Sequence, residues 1–162
     1  MTTRILAVCA GNICRSPAAE AAIRAAAAKM GLDVEVDSAG TGAWHVGSEP
    51  TAQSVAAGAR VGLEVTGRAR RIIPADFDRF DMILVMDRSN LRDVLAMAPT
   101  LEDRAKVRLF RTYDPDTTDD EVPDPYGGPD EGYDATVAQV MAAAAGLVES
   151  LAVSAEQTSS LH

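Results

Sequence analysis

The stretch that most constrains the fold runs from Val8 to Pro17, Val-Cys-Ala-Gly-Asn-Ile-Cys-Arg-Ser-Pro. It follows a short apolar run, Ile5 to Val8, of the length of a buried strand, and precedes an alanine-rich stretch with the composition of a helix. Between the two lies a loop with Cys9 at its entry and Arg15 at its exit. Gly11 and Asn12 are the residue types that best tolerate positive φ, which lets such a loop curl. Ser16 is a helix-capping residue type, and Pro17 suits a first turn. A loop curled against a helix N-terminus turns its N–H groups inward and makes an anion cradle. A phosphoryl group seated there meets a thiol beneath it and a guanidinium beside it, which is what a phosphatase requires. A Cys-x5-Arg pattern alone is loose, and a Cys at a strand end is commonly just a small core residue. Ser-Pro directly after the Arg, with a strand before and a helix after, supplies the context that favours chemistry.

The chain of 162 residues is sized for one domain with a real core. Its balance of 47% hydrophobic and 24% charged residues is that of a soluble globular protein. The apolar run after Arg4 is too short for a secretory leader, and no unbroken apolar run approaches a membrane span. Cys9 and Cys14 are the only cysteines and share one loop, so no disulfide framework exists and a reducing cytoplasm is expected. Two Cys and two His (His45, His162) are too few and scattered for a zinc site, so no metal is expected. A net charge of −9 argues against nucleic acid and anionic membranes as partners. Nine of the 24 acids and none of the 15 bases lie between Asp114 and Asp134, so that one segment carries the whole imbalance.

Along the chain, residues 18–30 read as a helix stopped at Gly31 and 33–37 as a short strand. A turn follows at Ser38-Ala39-Gly40-Thr41-Gly42, then a loop holding the single Trp, Trp44. Residues 50–61 read as a second helix. The run Arg68-Ala69-Arg70-Arg71 reads as a solvated face. Met82 to Met86 is a continuous apolar run, the pattern of a central strand covered on both faces. Ser89 or Asn90 is placed to cap a helix reaching Met97, and 107–110 forms a fourth short strand. A last helix is expected from about Tyr133 to Val153, giving a domain of residues 1–153 and a flexible tail of residues 154–162. Strands alternating with helices specify a single-domain α/β fold, a mostly parallel sheet with helices on both faces. Ligands in such sheets bind beyond the C-terminal strand ends, and Cys9 follows the first strand.

A thiol accepts a phosphoryl group only as thiolate, and a helix N-terminus, inward N–H groups and an Arg all favour that form. Arg15 can grip two phosphoryl oxygens at once through the transition state. The departing oxide also needs a proton. Asp124, set between two prolines in Val122-Pro123-Asp124-Pro125-Tyr126, is the candidate donor. With Cys9-Ala10-Gly11-Asn12-Ile13-Cys14-Arg15-Ser16-Pro17 stand Asp37-Ser38-Ala39-Gly40, Trp44-His45-Val46-Gly47, Asp76-Phe77, Met86-Asp87-Arg88-Ser89-Asn90-Leu91 and Asp124-Pro125-Tyr126. In these motifs, from about Arg4 to Leu151, the chain resembles the low-molecular-weight protein tyrosine phosphatases.

The resemblance implies a four-stranded parallel sheet (the phosphotyrosine protein phosphatase I-like fold) and no metal or other cofactor. It implies Cys9 as nucleophile, Arg15 as phosphate clamp and Asp124 as acid, then as base for hydrolysis of a cysteinyl-phosphate. Ala10, Gly11, Asn12, Ile13 and Cys14 match the phosphate-binding loop, with Asn12, Ser16 and Ser38 as its support. Trp44 and Tyr126 match aromatic walls around a phosphotyrosine ring. Cys9 and Cys14 are close enough in sequence for peroxide to join them as a redox pair. The implied partners are phosphotyrosine proteins, with basic flanks favoured by the acidic segment, and the expected state is a monomer or weak oligomer. The chain departs from the family pattern in three places, one of them the tail after the last helix, which has no counterpart there. Gly127 stands where a second Tyr is common, and Gly67 where a His often braces the loop. Rival readings are an arsenate reductase using an external thiol, a protein-arginine phosphatase, and a phosphate or phosphopeptide sensor without turnover. Arginine phosphatases tend to carry Thr at the position of Ile13. A thioredoxin-coupled arsenate reductase needs further cysteines, and none follows Cys14.

Overall fold

A computed structural model describes residues 1–160; Leu161 and His162 lie outside the described residues. β1 (Thr3–Cys9) stands inside a parallel sheet between β2 (Val34–Gly40) and β3 (Met82–Val85), and β4 (Val107–Leu109) pairs with the far side of β3. The order β2-β1-β3-β4 makes the four-stranded parallel sheet that the pattern of elements specified. Ile5, Leu6, Ala7 and Val8 are all fully buried, which is why this strand is apolar at consecutive positions. Ile5, Ala7 and Cys9 face a core built with α1 (Arg15–Lys29) and α6 (Asp130–Ser160). Leu6 and Val8 face the other way, onto Phe77, Phe80, Ile83, Val85 and Val94.

Register decides where the chemistry lies. Cys9 pairs with Gly40 and Val8 with Val85, so β1, β2 and β3 end at one edge of the sheet. Cys9, the Gly40–Gly42 turn and Asp87 are thereby delivered to one spot by three strands. β2 runs three residues beyond the expected Asp37, because Gly40 is paired both to Cys9 and to a bridge at Arg71.

Several helix bounds differ from the sequence reading for local reasons. α1 begins at Arg15 rather than residue 18. α2 (Ala52–Arg60) starts after Thr51, whose side chain accepts from Ser54 N–H at 3.2 Å. Two short helices, α3 (Asp76–Arg79) and α5 (Leu101–Ala105), flank β3 and β4. α4 (Arg88–Met97) is capped by Asp87, not by Ser89 or Asn90; Asp87 accepts from Asn90 N–H while the Asn90 side chain answers it, a reciprocal box. α6 starts at Asp130 and continues to Ser160, past the expected end at Val153, because Ala152 to Ser160 contains no glycine or proline to stop it.

By length and composition α6 could cross a membrane, although its sequence is not one unbroken apolar run. In this fold Tyr133, Val137, Val140, Ala144, Leu147 and Val148 bury its apolar side. A Cβ on Gly146 would stand 1.9 Å from the Tyr113 carbonyl oxygen, so only glycine lets the 3-10 helix Phe110–Tyr113 sit against α6.

Candidate active site

The five residues from Ala10 to Cys14 form the curled loop between β1 and α1. Asn12 takes the positive φ, +57°, and Gly11 does not. Asn12 is tied down by its whole side chain. Its Nδ2 donates to Ser16 Oγ at 2.8 Å and to Ser38 Oγ at 3.0 Å, and its Oδ1 accepts from Arg70 N–H at 3.0 Å. Its own backbone N–H points at Cys9 Sγ, 3.3 Å away. Ser16 does not cap the helix as its residue type suggested. Cys14 occupies the cap position without a side-chain cap bond, and Ser16 lies inside the first turn with its hydroxyl 3.1 Å from Cys9 Sγ. The N–H groups that a first helical turn leaves without partners are those an anion at this end would use.

The back of the loop is strapped to the end of β2. Thr41 N–H donates to Cys9 O at 2.9 Å and Gly42 N–H to Ala10 O at 3.0 Å. A Cβ on Gly40 would meet Ala10 O at 2.6 Å, so this approach requires glycine.

Arg15 is 3% exposed and its Nη1 donates to Asp87 Oδ2 at 2.6 Å and to the Val122 carbonyl at 3.0 Å. Asp87 thus caps α4 with one oxygen and holds Arg15 with the other. The second bond reaches the acidic segment two residues before Asp124. Asp124 itself is half exposed; its Oδ1 accepts from Tyr126 N–H at 3.1 Å and its Oδ2 lies 3.7 Å from Arg15 Nη2. One buried guanidinium therefore joins the loop, β3 and the acid-bearing segment.

The cleft between these parts measures about 180 Å³ and is lined by Cys9, Ala10, Gly11, Ile13, Cys14, Arg15, Trp44, His45, Asp124 and Tyr126. Trp44 is 75% and Tyr126 59% exposed, large aromatic surfaces at its mouth. The Trp44 ring occupies the space a Cβ on Gly42 would fill. His45 faces Tyr126 with ring centroids 5.7 Å apart, tilted by 54°, so the two walls meet. Burial pushes the Cys14 thiol up from its ordinary value, against the lowering effect of Thr51, and keeps it protonated. Among the described residues no cluster of three or more His, Cys, Asp or Glu is arranged to hold a metal ion.

The family described as low molecular weight phosphotyrosine protein phosphatase matches residues 4–157. The chain belongs to this family. A low molecular weight protein-tyrosine-phosphatase of Streptomyces coelicolor is 45% identical over 154 residues, covering 91% of this chain and 93% of the relative. Among solved structures, a protein tyrosine phosphatase from Entamoeba histolytica superposes with a TM-score of 0.91 at 31% identity, covering 94% of this chain and 98% of that one. A structure titled DARP, drosophila arginine phosphatase, superposes with a TM-score of 0.85 at 34% identity, covering 91% and 96%.

As a member of the low molecular weight phosphatases, the chain gathers most of its sequence-selected residues in one place. Cys9, Ala10, Gly11, Ile13, Cys14, Arg15, Trp44, Asp124 and Tyr126 line the cleft, while Asn12, Ser16 and Ser38 stand behind it. The sequence reading did not select His45, Asp87, Arg70 or Arg111. Asp87 was within reach, since it directly follows the apolar run of β3 and the sheet rule puts that end beside Cys9. At Gly67, φ is +114°, and the brace on Asn12 comes instead from the Arg70 backbone. Arg70 is no free surface charge. Burial works against its charge, but Asp76 and Asp37 hold its pKa above the ordinary arginine value. The acidic segment is also less bare than its sequence. Arg88 pairs with Asp120 and Glu121, Arg111 with Asp119, Arg60 with Asp134 and Arg15 with Asp124.

Proposed function

We propose that this phosphatase hydrolyses phosphotyrosine in proteins through a phosphate carried on Cys9. The observation that supports this most is one cleft holding Cys9 Sγ among N–H and O–H groups, Arg15 fixed by Asp87, and Asp124 3.7 Å from that Arg. In the first step the Cys9 thiolate attacks phosphorus, the S–P bond forms, the P–O bond to tyrosine breaks, and Asp124 protonates the departing phenoxide. In the second, Asp124 takes a proton from water, the hydroxide attacks phosphorus, the S–P bond breaks, and inorganic phosphate leaves with Cys9 again a thiolate. Arg15 follows the equatorial oxygens through both steps. Trp44 and Tyr126 hold the substrate ring, and no cofactor enters.

The S. coelicolor relative, a protein-tyrosine-phosphatase by name, supports tyrosine as the substrate class, as does Ile13 in the cleft lining. The test is phosphate release from matched phosphotyrosine and phosphoarginine peptides by wild type and Cys9→Ser. The expected result is turnover of phosphotyrosine by wild type and none by Cys9→Ser, which still binds vanadate. Faster release from phosphoarginine would transfer the assignment to that substrate, and vanadate binding without turnover by wild type would make the chain a sensor. Arsenate reduction with an external thiol would favour the remaining rival.

The same reading takes the enzyme as cytoplasmic, a monomer or weak oligomer, with residues 1–153 as the working domain. Cys14 is taken as the partner that captures an oxidised Cys9. Peroxide converts the Cys9 thiolate to a sulfenic acid, and the Cys14 thiol displaces water from it to give a disulfide. Activity lost to peroxide then returns with dithiothreitol, and returns less fully in Cys14→Ser; equal recovery removes that role. The preference for basic flanks narrows to the acids of the 114–134 segment without an arginine partner, chiefly Asp114, Asp116, Asp130 and Glu131.

A further inference from the structure

Arg111, on the 3-10 helix behind the acidic segment, is a cation in a poor place. Its side chain is 13% exposed, its Nε is buried without a hydrogen-bond partner among the described residues, and the carboxylate paired with it, Asp119 at 3.6 Å, is itself mostly in solvent. A buried guanidinium so weakly compensated is a cost to the fold, and an apolar side chain of similar length would avoid it. What Arg111 does make is one good bond, from Nη1 to the Glu121 carbonyl at 2.9 Å. The next carbonyl, Val122, is held by Arg15 at 3.0 Å, and Val122 N–H donates to Met86 O at 2.8 Å. Two successive carbonyls are thus held by two different buried arginines, one of the site and one outside it.

From there to Asp124 the chain is stiff. Pro123 and Pro125 have fixed φ, Val122 and Asp124 are restricted by the prolines that follow them, and Pro125 is buried. A displacement at Glu121 is therefore carried to the Asp124 carboxyl instead of being absorbed between them. We propose that Arg111 is a positioning residue for proton transfer, fixing the Glu121–Val122 peptide and through it the place of Asp124 over the cleft. This rests on the reading of Asp124 as the proton donor and goes beyond it by naming what aims that donor.

The test compares wild type, Arg111→Met, Arg111→Lys, Asp124→Asn and the double variant Arg111→Met/Asp124→Asn. The substrates are aryl phosphates, from p-nitrophenyl phosphate to phenyl phosphate. Vanadate inhibition and thermal midpoint are measured for each protein. Arg111→Met should lower kcat/KM on the order of 10- to 100-fold for phenyl phosphate, since a misplacement near 1 Å costs about that much. The loss should be several-fold smaller for p-nitrophenyl phosphate, whose leaving group needs little protonation. Vanadate inhibition should stay within about twofold of wild type, because the anion cradle is untouched, and Arg111→Lys should fall between. In the Asp124→Asn background Arg111→Met should add nothing beyond about twofold, since it acts through Asp124. Should Arg111→Met not fold, Arg111→Lys carries the same comparison. A loss equal across leaving groups, or one that persists at full size without Asp124, would reduce Arg111 to a structural residue. If Asp124→Asn itself leaves the leaving-group dependence at the wild-type slope, the donor assignment fails first. If Asp124→Asn steepens it and the Arg111 variants do not, only the positioning role fails.

Discussion

Two loops close over the cleft, and they are built in opposite ways. Of the five residues after β1, Asn12, Ile13 and Cys14 are buried and Ala10 and Gly11 partly so; Asn12 alone makes bonds to Ser16, Ser38 and Arg70, and Gly40 presses on Ala10 from behind. The sixteen residues between the 3-10 helix and α6 have no regular structure, and most are exposed or only partly buried. Most of their fixed points lie close together, at Arg111, Met86, Arg88 and Arg15 around Glu121 and Val122, with Gln53 holding the Gly128 carbonyl at 3.3 Å further along. The difference follows from what each part must do. A nucleophile and its anion clamp gain from dipoles that need not reorganise when charge develops. A group that gives up a proton and takes one back must remain open to water and to leaving groups of varied shape. Rigidity is therefore concentrated in the cradle and, on the acid segment, mainly at the clamp around Glu121 and Val122.

Arg15→Ala should have the largest effect, because that side chain belongs to both regions. Activity should fall on the order of 10²–10³ or more through loss of the phosphoryl clamp. Stability should fall by about 3 kcal/mol, at the low end for a broken buried pair because Asp87 keeps its α4 cap. Denaturant melts alongside steady-state rates would read both. Asp124→Asn should separate them, with a rate loss on the order of 10²–10⁴ for poor leaving groups and a stability change within about 0.5 kcal/mol. A stability loss matching that of Arg15→Ala would end the contrast between the two loops.

Gly40→Ala tests the cradle from behind. Its Cβ would meet Ala10 O at 2.6 Å, so the loop must move, with an expected cost of about 1–3 kcal/mol and reduced vanadate affinity. Unchanged affinity would mean that the cradle does not depend on that strap. The smallest effect concerns substrate flanks. Most of the acid segment's charge is already paired with Arg15, Arg60, Arg88 and Arg111. Basic-flanked phosphotyrosine peptides should therefore be preferred by no more than a few-fold in kcat/KM, at about 0.2–1 kcal/mol per exposed pair, fading with salt. A large or salt-insensitive preference would show that the segment acts by contact and not by field.

The cradle was legible in the sequence because its parts are local. Cys9, Gly11, Asn12 and Arg15 fall within seven residues, and the apolar run before them fixes where they must emerge. The sheet was legible for the same reason, from β1 and β3 as unbroken apolar runs. Contacts between distant segments were not. Nothing near Ser16 in the sequence says that its hydroxyl turns to Cys9 instead of capping α1. Asp87 looks like a helix-start residue, and only the strand order β1-β3 reveals that its other oxygen holds Arg15. The acid segment read as a bare negative tract because its arginine partners are supplied by α2, α4, the 3-10 helix and the cradle.

In the proposed mechanism the labour is divided: the cradle makes the phosphoenzyme, and the acid segment both helps form it and releases it. The most direct measurement is denaturant quench of wild type and Asp124→Asn during turnover of p-nitrophenyl phosphate, followed by mass analysis of the peptide holding Cys9. The phosphate should be found on Cys9, and should accumulate to a higher fraction in Asp124→Asn, where formation scarcely needs the proton but hydrolysis has lost its base. Phosphate on another residue, or none on Cys9 in either protein while turnover continues, would rule out that mechanism.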